Sequence, residues 1–132
     1  MMGRRVVIAF LASLPTLAVA GAAVAQSEWE LLARQRIAVT ALEETVPVDP
    51  SAGVFSAVGL TMRGNDLYLD RMRLRFDDGD TQEIVVGEVL RHGEQRIFDL
   101  DGNTRAIIAI VLIYRRPMNP MADTVAELHG RR

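Results

Sequence analysis

Apolar and polar residues alternate with a period of two over much of the 132-residue chain, the spacing of strands whose side chains point to opposite faces of a sheet. Val54–Arg63 sets Val58, Leu60 and Met62 against Ala57, Thr61 and Arg63, giving one apolar and one wetter face. Gly64-Asn65 has hairpin-turn chemistry. Leu67 and Leu69 continue the alternation, but the next apolar set, Met72, Leu74 and Phe76, falls on even numbers. A one-residue slip flips every later side chain, so a bulge is predicted near Asp70-Arg71. Asp77-Asp78-Gly79-Asp80 closes a hairpin into Thr81–Leu90. Matching Met72 and Leu74 with Val86 and Ile84 makes the loop Asp78-Gly79-Asp80 and sets Arg75 opposite Glu83.

Arg91-His92-Gly93-Glu94 turns the chain again, Gln95–Leu100 is a short strand, and Asp101-Gly102-Asn103 makes another tight turn, with Asp99 and Arg105 placed to pair across it. Ala106–Tyr114 is apolar at both parities and needs cover on both faces. The candidates for cover are the segment around Trp29, a loop carrying Met118 and Met121, or a protein partner or second copy docked on the Ile107, Ala109, Val111, Ile113 face. Arg115–Met121, with Pro117 and Pro120, is a loop, and Asp123–His129 is a last strand with Val125 and either Ala126 or Leu128 inward. Ser27–Ala41 is ambiguous, because Trp29, Leu32, Arg36 and Val39 have helical spacing while Ile37-Ala38-Val39-Thr40 is β-prone; the neighbouring strands favour a strand. Glu43–Gly53 is a connection with an extended piece at Glu44–Val48. About seven strands result, which predicts an all-β, single-domain antiparallel β-sandwich, Ig-like or jelly-roll-like.

Met1–Arg5 carries two arginines, Val6–Ala25 is apolar, and Ala23-Val24-Ala25 is a small-x-small cleavage site. This predicts a signal peptide over 1–25, a mature domain over 26–132, and a periplasmic or secreted protein. The alternative is an uncleaved anchor, in which case this segment alone meets the membrane. Removing 25 of 132 residues leaves 107, and losing Arg4 and Arg5 takes the net charge from -2 to -4. An acidic domain of this kind lacks the basic footprint of a nucleic-acid binder. All 15 basic residues are arginine, which is read as a GC-rich bacterial genome. Cysteine is absent, which excludes disulfides, thiol catalysis, cysteine-ligated metals and a lipid-anchored cysteine.

The succession Trp29-Glu30-x-Leu32, Phe55, Asp77-Asp78-Gly79 and then Ile97-Phe98-Asp99-Leu100-x-Gly102-x-x-Arg105-x-Ile107-x-x-Ile110-x-x-x-Tyr114 resembles a group of short exported bacterial proteins that form a domain-of-unknown-function family. The resemblance covers most of Trp29–Gly130 and implies a sandwich-like fold, with no catalytic residues to carry over. The chain departs from the group at Ala33, where a glycine is usual.

Candidate chemistry is sparse. His92 and His129 have no partner at ligand spacing, so no metal is expected. The Asp-rich turns suit calcium in composition but not in EF-hand spacing, and tight turns require the same residues. No nucleophile elbow or phosphate-cradling loop occurs, so neither catalytic residues nor a cofactor are expected. Arg71, Arg73 and Arg75 recur every second residue and form a cationic stripe, to which Arg63 would add. The stripe suits a phosphate-bearing lipid head group or an acidic polysaccharide; the commoner fate of such a stripe is a solvated face balanced by Glu83 and Asp80. Tyr68 and Trp29 are the aromatic candidates for the same ligand surface. The expected function is a non-enzymatic binding or protein-interaction module of the bacterial envelope. The alternative is a small-ligand or carbohydrate binder on an aromatic and arginine surface.

Overall fold

The computed structural model describes residues 28–38, 40–117 and 119–132. The expected leader over 1–25 lies outside them, as do Gln26, Ser27, Val39 and Met118. Eight strands follow in order: β1 Trp29–Arg36, β2 Glu43–Pro47, β3 Ala57–Arg63, β4 Leu67–Phe76, β5 Thr81–Leu90, β6 Gln95–Asp99, β7 Ile107–Tyr114 and β8 Val125–Arg131, with a 3-10 turn at Pro50–Ala52. They form two four-stranded antiparallel sheets, β1-β8-β3-β6 and β2-β7-β4-β5. Among the described strands only β4 and β5 are consecutive neighbours in one sheet; every other connection crosses to the opposite sheet. This is the eight-stranded jelly-roll order.

The turns expected to close hairpins at Gly64-Asn65, Arg91–Glu94 and Asp101–Asn103 are therefore corners between sheets. Turn chemistry reports a change of direction and carries no information on which strand the chain meets next. At the first corner Gly64 has φ 81°, and a Cβ there would be driven into the carbonyl oxygen of Asp123. Asn65 is buried beside it and donates to Asn119 O at 2.8 Å and Thr124 Oγ1 at 3.0 Å.

The β4–β5 hairpin is two residues away from its expected register. Met72 pairs with Ile84, Arg73 with Glu83 and Arg75 with Thr81. The loop is Asp77-Asp78-Gly79, closed by Phe76 N–H to Asp80 O at 2.9 Å and Gly79 N–H to Phe76 O at 3.1 Å, with Gly79 at φ 92°. A two-residue shift keeps every side chain on its face, so the hydrophobic pattern is blind to it. The bulge lies where the change of parity requires it: two steps of β4, Leu69 to Arg71, face one step of β7, Tyr114 to Ile113.

Val58, Leu60 and Met62 of β3 face Met72, Leu74 and Phe76 of β4 and Ile110, Leu112 and Tyr114 of β7 in one core. Ala126 and Leu128 of β8 complete it, while Val125, expected inward, points out. The outward side of β7 is also covered. Val111 is fully buried and flanked in register by Thr45 and Arg73. Of the covers expected from within the chain, Trp29 belongs to the other sheet and Met121 is 91% exposed, while Met118 lies outside the described residues. Ile107, expected on the outward face, turns inward, because one step of β4 from Arg75 to Phe76 spans two of β7 from Ala109 to Ile107.

Burial of Tyr114, with Glu44 nearby, pushes its phenol up to about 12. The unfolded phenol titrates near 10, so stability is fully present below that pH and falls as pH rises from about 10 to about 12, by up to roughly 3 kcal/mol. Urea titrations at pH 9 and pH 11 are expected to show about half of this loss, roughly 1.4 kcal/mol, and Tyr114→Phe is expected to shrink it. The hydroxyl donates to Ala38 O at 3.2 Å, so the variant also starts about 1 kcal/mol less stable.

Candidate functional site

Strand pairing sorts the candidate residues onto two outer faces. On the outer face of the second sheet three rows cross four strands: Glu43–Ile113–Arg71–Val85, Thr45–Val111–Arg73–Glu83 and Pro47–Ala109–Arg75–Thr81. Arg71, Arg73 and Arg75 thus form one line along β4, and Tyr68 extends it beyond the bulge. Trp29 and Arg63 do not join them, since both lie on the outer face of the first sheet. Sequence spacing places side chains within one strand but cannot relate strands that pair only after folding.

Glu83 serves two of the three arginines, at 2.8 Å from Arg71 Nη1 and 3.6 Å from Arg73 Nη2. The hydrogen bond from Arg71 holds its carboxyl below the usual range. Arg75 stands exposed opposite Thr81 and has no ion pair among the described residues. Asp80, expected to balance the stripe, instead joins Asp78 on Arg105, at 2.9 Å and 3.0 Å, and the Arg105 guanidinium lies 3.8 Å from the centroid of the Phe76 ring. Asp99, expected to meet Arg105, lies 3.4 Å from Arg131. The stripe gains a residue that the sequence left in a loop: the Arg115 guanidinium lies 4.1 Å from the Tyr68 ring centroid and 3.6 Å from Asp70. Its backbone N–H donates to Tyr68 O at 3.0 Å, a contact created by the pairing of β4 with β7.

The opposite outer face carries the row Leu31–His129–Gly59–Ile97 beside the row Trp29–Arg131–Ala57–Asp99. The Trp29 ring and the Gln95 side chain converge over Gly59, where a Cβ would lie 3.1 Å and 2.5 Å from them. Arg131 stands 5.4 Å from the Trp29 ring centroid. His129, expected to be exposed, is half-buried with its Nδ1 enclosed and unpartnered. His92 is exposed and meets Asp66 through its Nδ1 at 2.6 Å, while its backbone N–H donates to the same oxygen at 2.9 Å. Next to these rows Glu127 bridges Arg34 at 2.9 Å and Arg63 at 3.1 Å. Burial pushes that carboxyl up, but the two guanidinia outweigh it and leave it below the usual range.

Among the described residues no group of three or more His, Cys, Asp or Glu converges as a metal site, and no enclosed pocket is formed. The chemistry on offer is that of open sheet faces, one carrying a line of guanidinia and the other Trp29, Arg131 and His129 in adjacent rows.

No curated protein matches this sequence. Among solved structures, the chain is similar to one described as "Structural and functional characterization of Pseudomonas aeruginosa AlgX", at 10% sequence identity and a TM-score of 0.44. The match covers 78% of this chain and 27% of that one, so the chain spans about a quarter of the length of AlgX. A family model described as "Domain of unknown function (DUF2541)" matches residues 6–126, and the chain belongs to that family.

Proposed function

We propose that the chain is an exported, non-enzymatic binding module of the bacterial envelope that takes an anionic partner on the arginine face of its second sheet. One observation carries this reading: of three arginines in line on an open face, two share a single carboxylate, Glu83, and the third, Arg75, has no ion pair among the described residues. In a mature chain of net charge -4 this concentrates positive charge where the total is negative, and guanidinia are suited to carboxylate and phosphate through paired N–H donors. Export rests on the cationic start, apolar run and small-residue cleavage motif of the leader, and the mature protein is expected to begin at Gln26 when its N-terminus is sequenced.

Calorimetric titration with dextran sulfate at low salt is the test. Binding is expected for the mature domain and is expected to weaken about tenfold, or about 1.4 kcal/mol, in Arg75→Glu. Arg36→Gln on the other sheet is expected to leave it unchanged. No binding, or binding indifferent to Arg75→Glu, contradicts the proposal.

A further inference from the structure

Resting on the reading of the arginine face, we infer that its partner is a single extended chain of acidic sugars lying along β4. The charges are arranged as a line, not as a plane. Residues two apart on a strand recur every ~6.8 Å, so Arg71, Arg73 and Arg75 span roughly 14 Å. Carboxylates flank the line on both sides: Glu43 on β2 shares the row of Arg71, and Glu83 on β5 shares the row of Arg73. A membrane surface laid on this face would press its phosphates against both carboxylates, whereas a single chain along β4 follows the arginines between them.

The apolar residues beside the line favour sugars. Val85 stands in the row of Arg71 and is 79% exposed, and Tyr68 lies on the same face past the bulge. Val85 offers nonpolar surface to the C–H face of a pyranose ring, and the Tyr68 ring, with the Arg115 guanidinium 4.1 Å from its centroid, marks the end of the line. Guanidinia about 7 Å apart can each take one carboxylate of a sugar chain, and a mature chain of net charge -4 lacks the basic footprint of a nucleic-acid binder. An acidic peptide has similar charge spacing, but the sheet-edge pairing that holds many extended peptides is closed to it here. β4 lies inside its sheet between β7 and β5, so a peptide on this face would gain no strand pairing and would be held by its charges alone.

Glu83 then acts as an internal competitor, occupying Arg71 and Arg73 until a ligand carboxylate displaces it. Removing its charge frees two guanidinia for the ligand. A purely structural ion pair would give the opposite result on binding, or none.

The experiment is calorimetric titration of the mature domain with polygalacturonate, galacturonic acid monomer, poly-L-glutamate and phosphatidylglycerol vesicles. Polygalacturonate is expected to bind, at least tenfold more weakly when salt rises from about 20 to about 300 mM. The other three are expected to bind at least about tenfold more weakly than the polymer. Arg75→Glu is expected to lose at least about tenfold, and Glu83→Gln to gain about threefold or more. Thermal melts of both variants establish that they are folded; Arg75 is exposed and Glu83 sits on an edge strand. Equal binding of poly-L-glutamate reduces the specificity to charge alone and overturns the inference while leaving the arginine face in place. Vesicle binding that Arg75→Glu abolishes overturns it in favour of a lipid surface. Polygalacturonate binding that Glu83→Gln weakens also counts against it. If no polyanion binds in a manner dependent on Arg75, the inference and the function proposed above fail together.

Discussion

Alanine at Gly64 is expected to destabilise the domain by about 2–5 kcal/mol, the sum of left-handed backbone strain of about 1–2 and overpacking of about 1–3. Gly64 turns the chain from the first sheet to the second at φ 81°, and its missing side chain leaves room for the carbonyl oxygen of Asp123. That neighbour is backbone and is fixed by its own surroundings: Ile37 N–H donates to Thr124 O at 2.8 Å, and the Thr124 hydroxyl receives the amide of Asn65. Asparagine, which tolerates a left-handed backbone, is not expected to rescue the site, because its Cβ meets the same oxygen. Gly102 separates the two causes. It has the same φ of 81°, but a methyl group there would meet nothing within 4 Å, so Gly102→Ala is expected to cost only about 1–2 kcal/mol. Urea midpoints for the two variants, at unchanged slope, provide the comparison. Equal losses would show that Asp123 does not crowd the corner.

Phe55→Ala is expected to cost about 3–5 kcal/mol, the range for emptying a fully buried aromatic site. Phe55 has no exposed surface and is held by a two-way backbone bridge to Arg105, at 2.9 Å and 2.8 Å. Its ring lies against Gly130 so closely that a Cβ there would be 2.6 to 2.9 Å from three ring atoms, and Arg132 stands 4.9 Å from the ring centroid. The ring therefore links the entry to β3 with the end of β8 and the start of β7. Gly130→Ala is expected to be destabilising by about 1–3 kcal/mol from the opposite direction, since it overfills the same space. Combining it with Phe55→Leu is expected to recover part of that loss, because the two changes share one volume. Losses that simply add would mean that the ring and Gly130 are not in contact.

The parts of the fold visible in the sequence are those set by side-chain parity. The alternation in β3, the switch from Leu69 to Met72 and the two-sided apolar run of β7 each follow from burial, and each reappears as an inward residue, a bulge or a covered strand. Parity does not reveal partners. The corner at Gly64 and the hairpin at Gly79 use the same turn chemistry, yet only the second joins neighbours in a sheet. In β1 the pairing shifts between Leu31 and Ala33, and this irregularity interrupts the two-residue alternation that would have marked Trp29–Arg36 as a strand. The site shows the same division. Arg71, Arg73 and Arg75 share a face because they share a strand, and this was legible. Arg115 reaches Tyr68 only through the β4–β7 pairing, and Trp29 is carried to the far side by a sheet assignment that spacing cannot supply.

An amide-resolved NMR titration of the mature domain with an oligogalacturonate bears most directly on which face does the binding. The arginine face predicts shifts that follow β4 and its flanks, at Arg71, Arg73, Arg75, Val111 and Glu83. Shifts gathered instead at Trp29, Leu31, Ile97 and His129, on the opposite sheet, would contradict it.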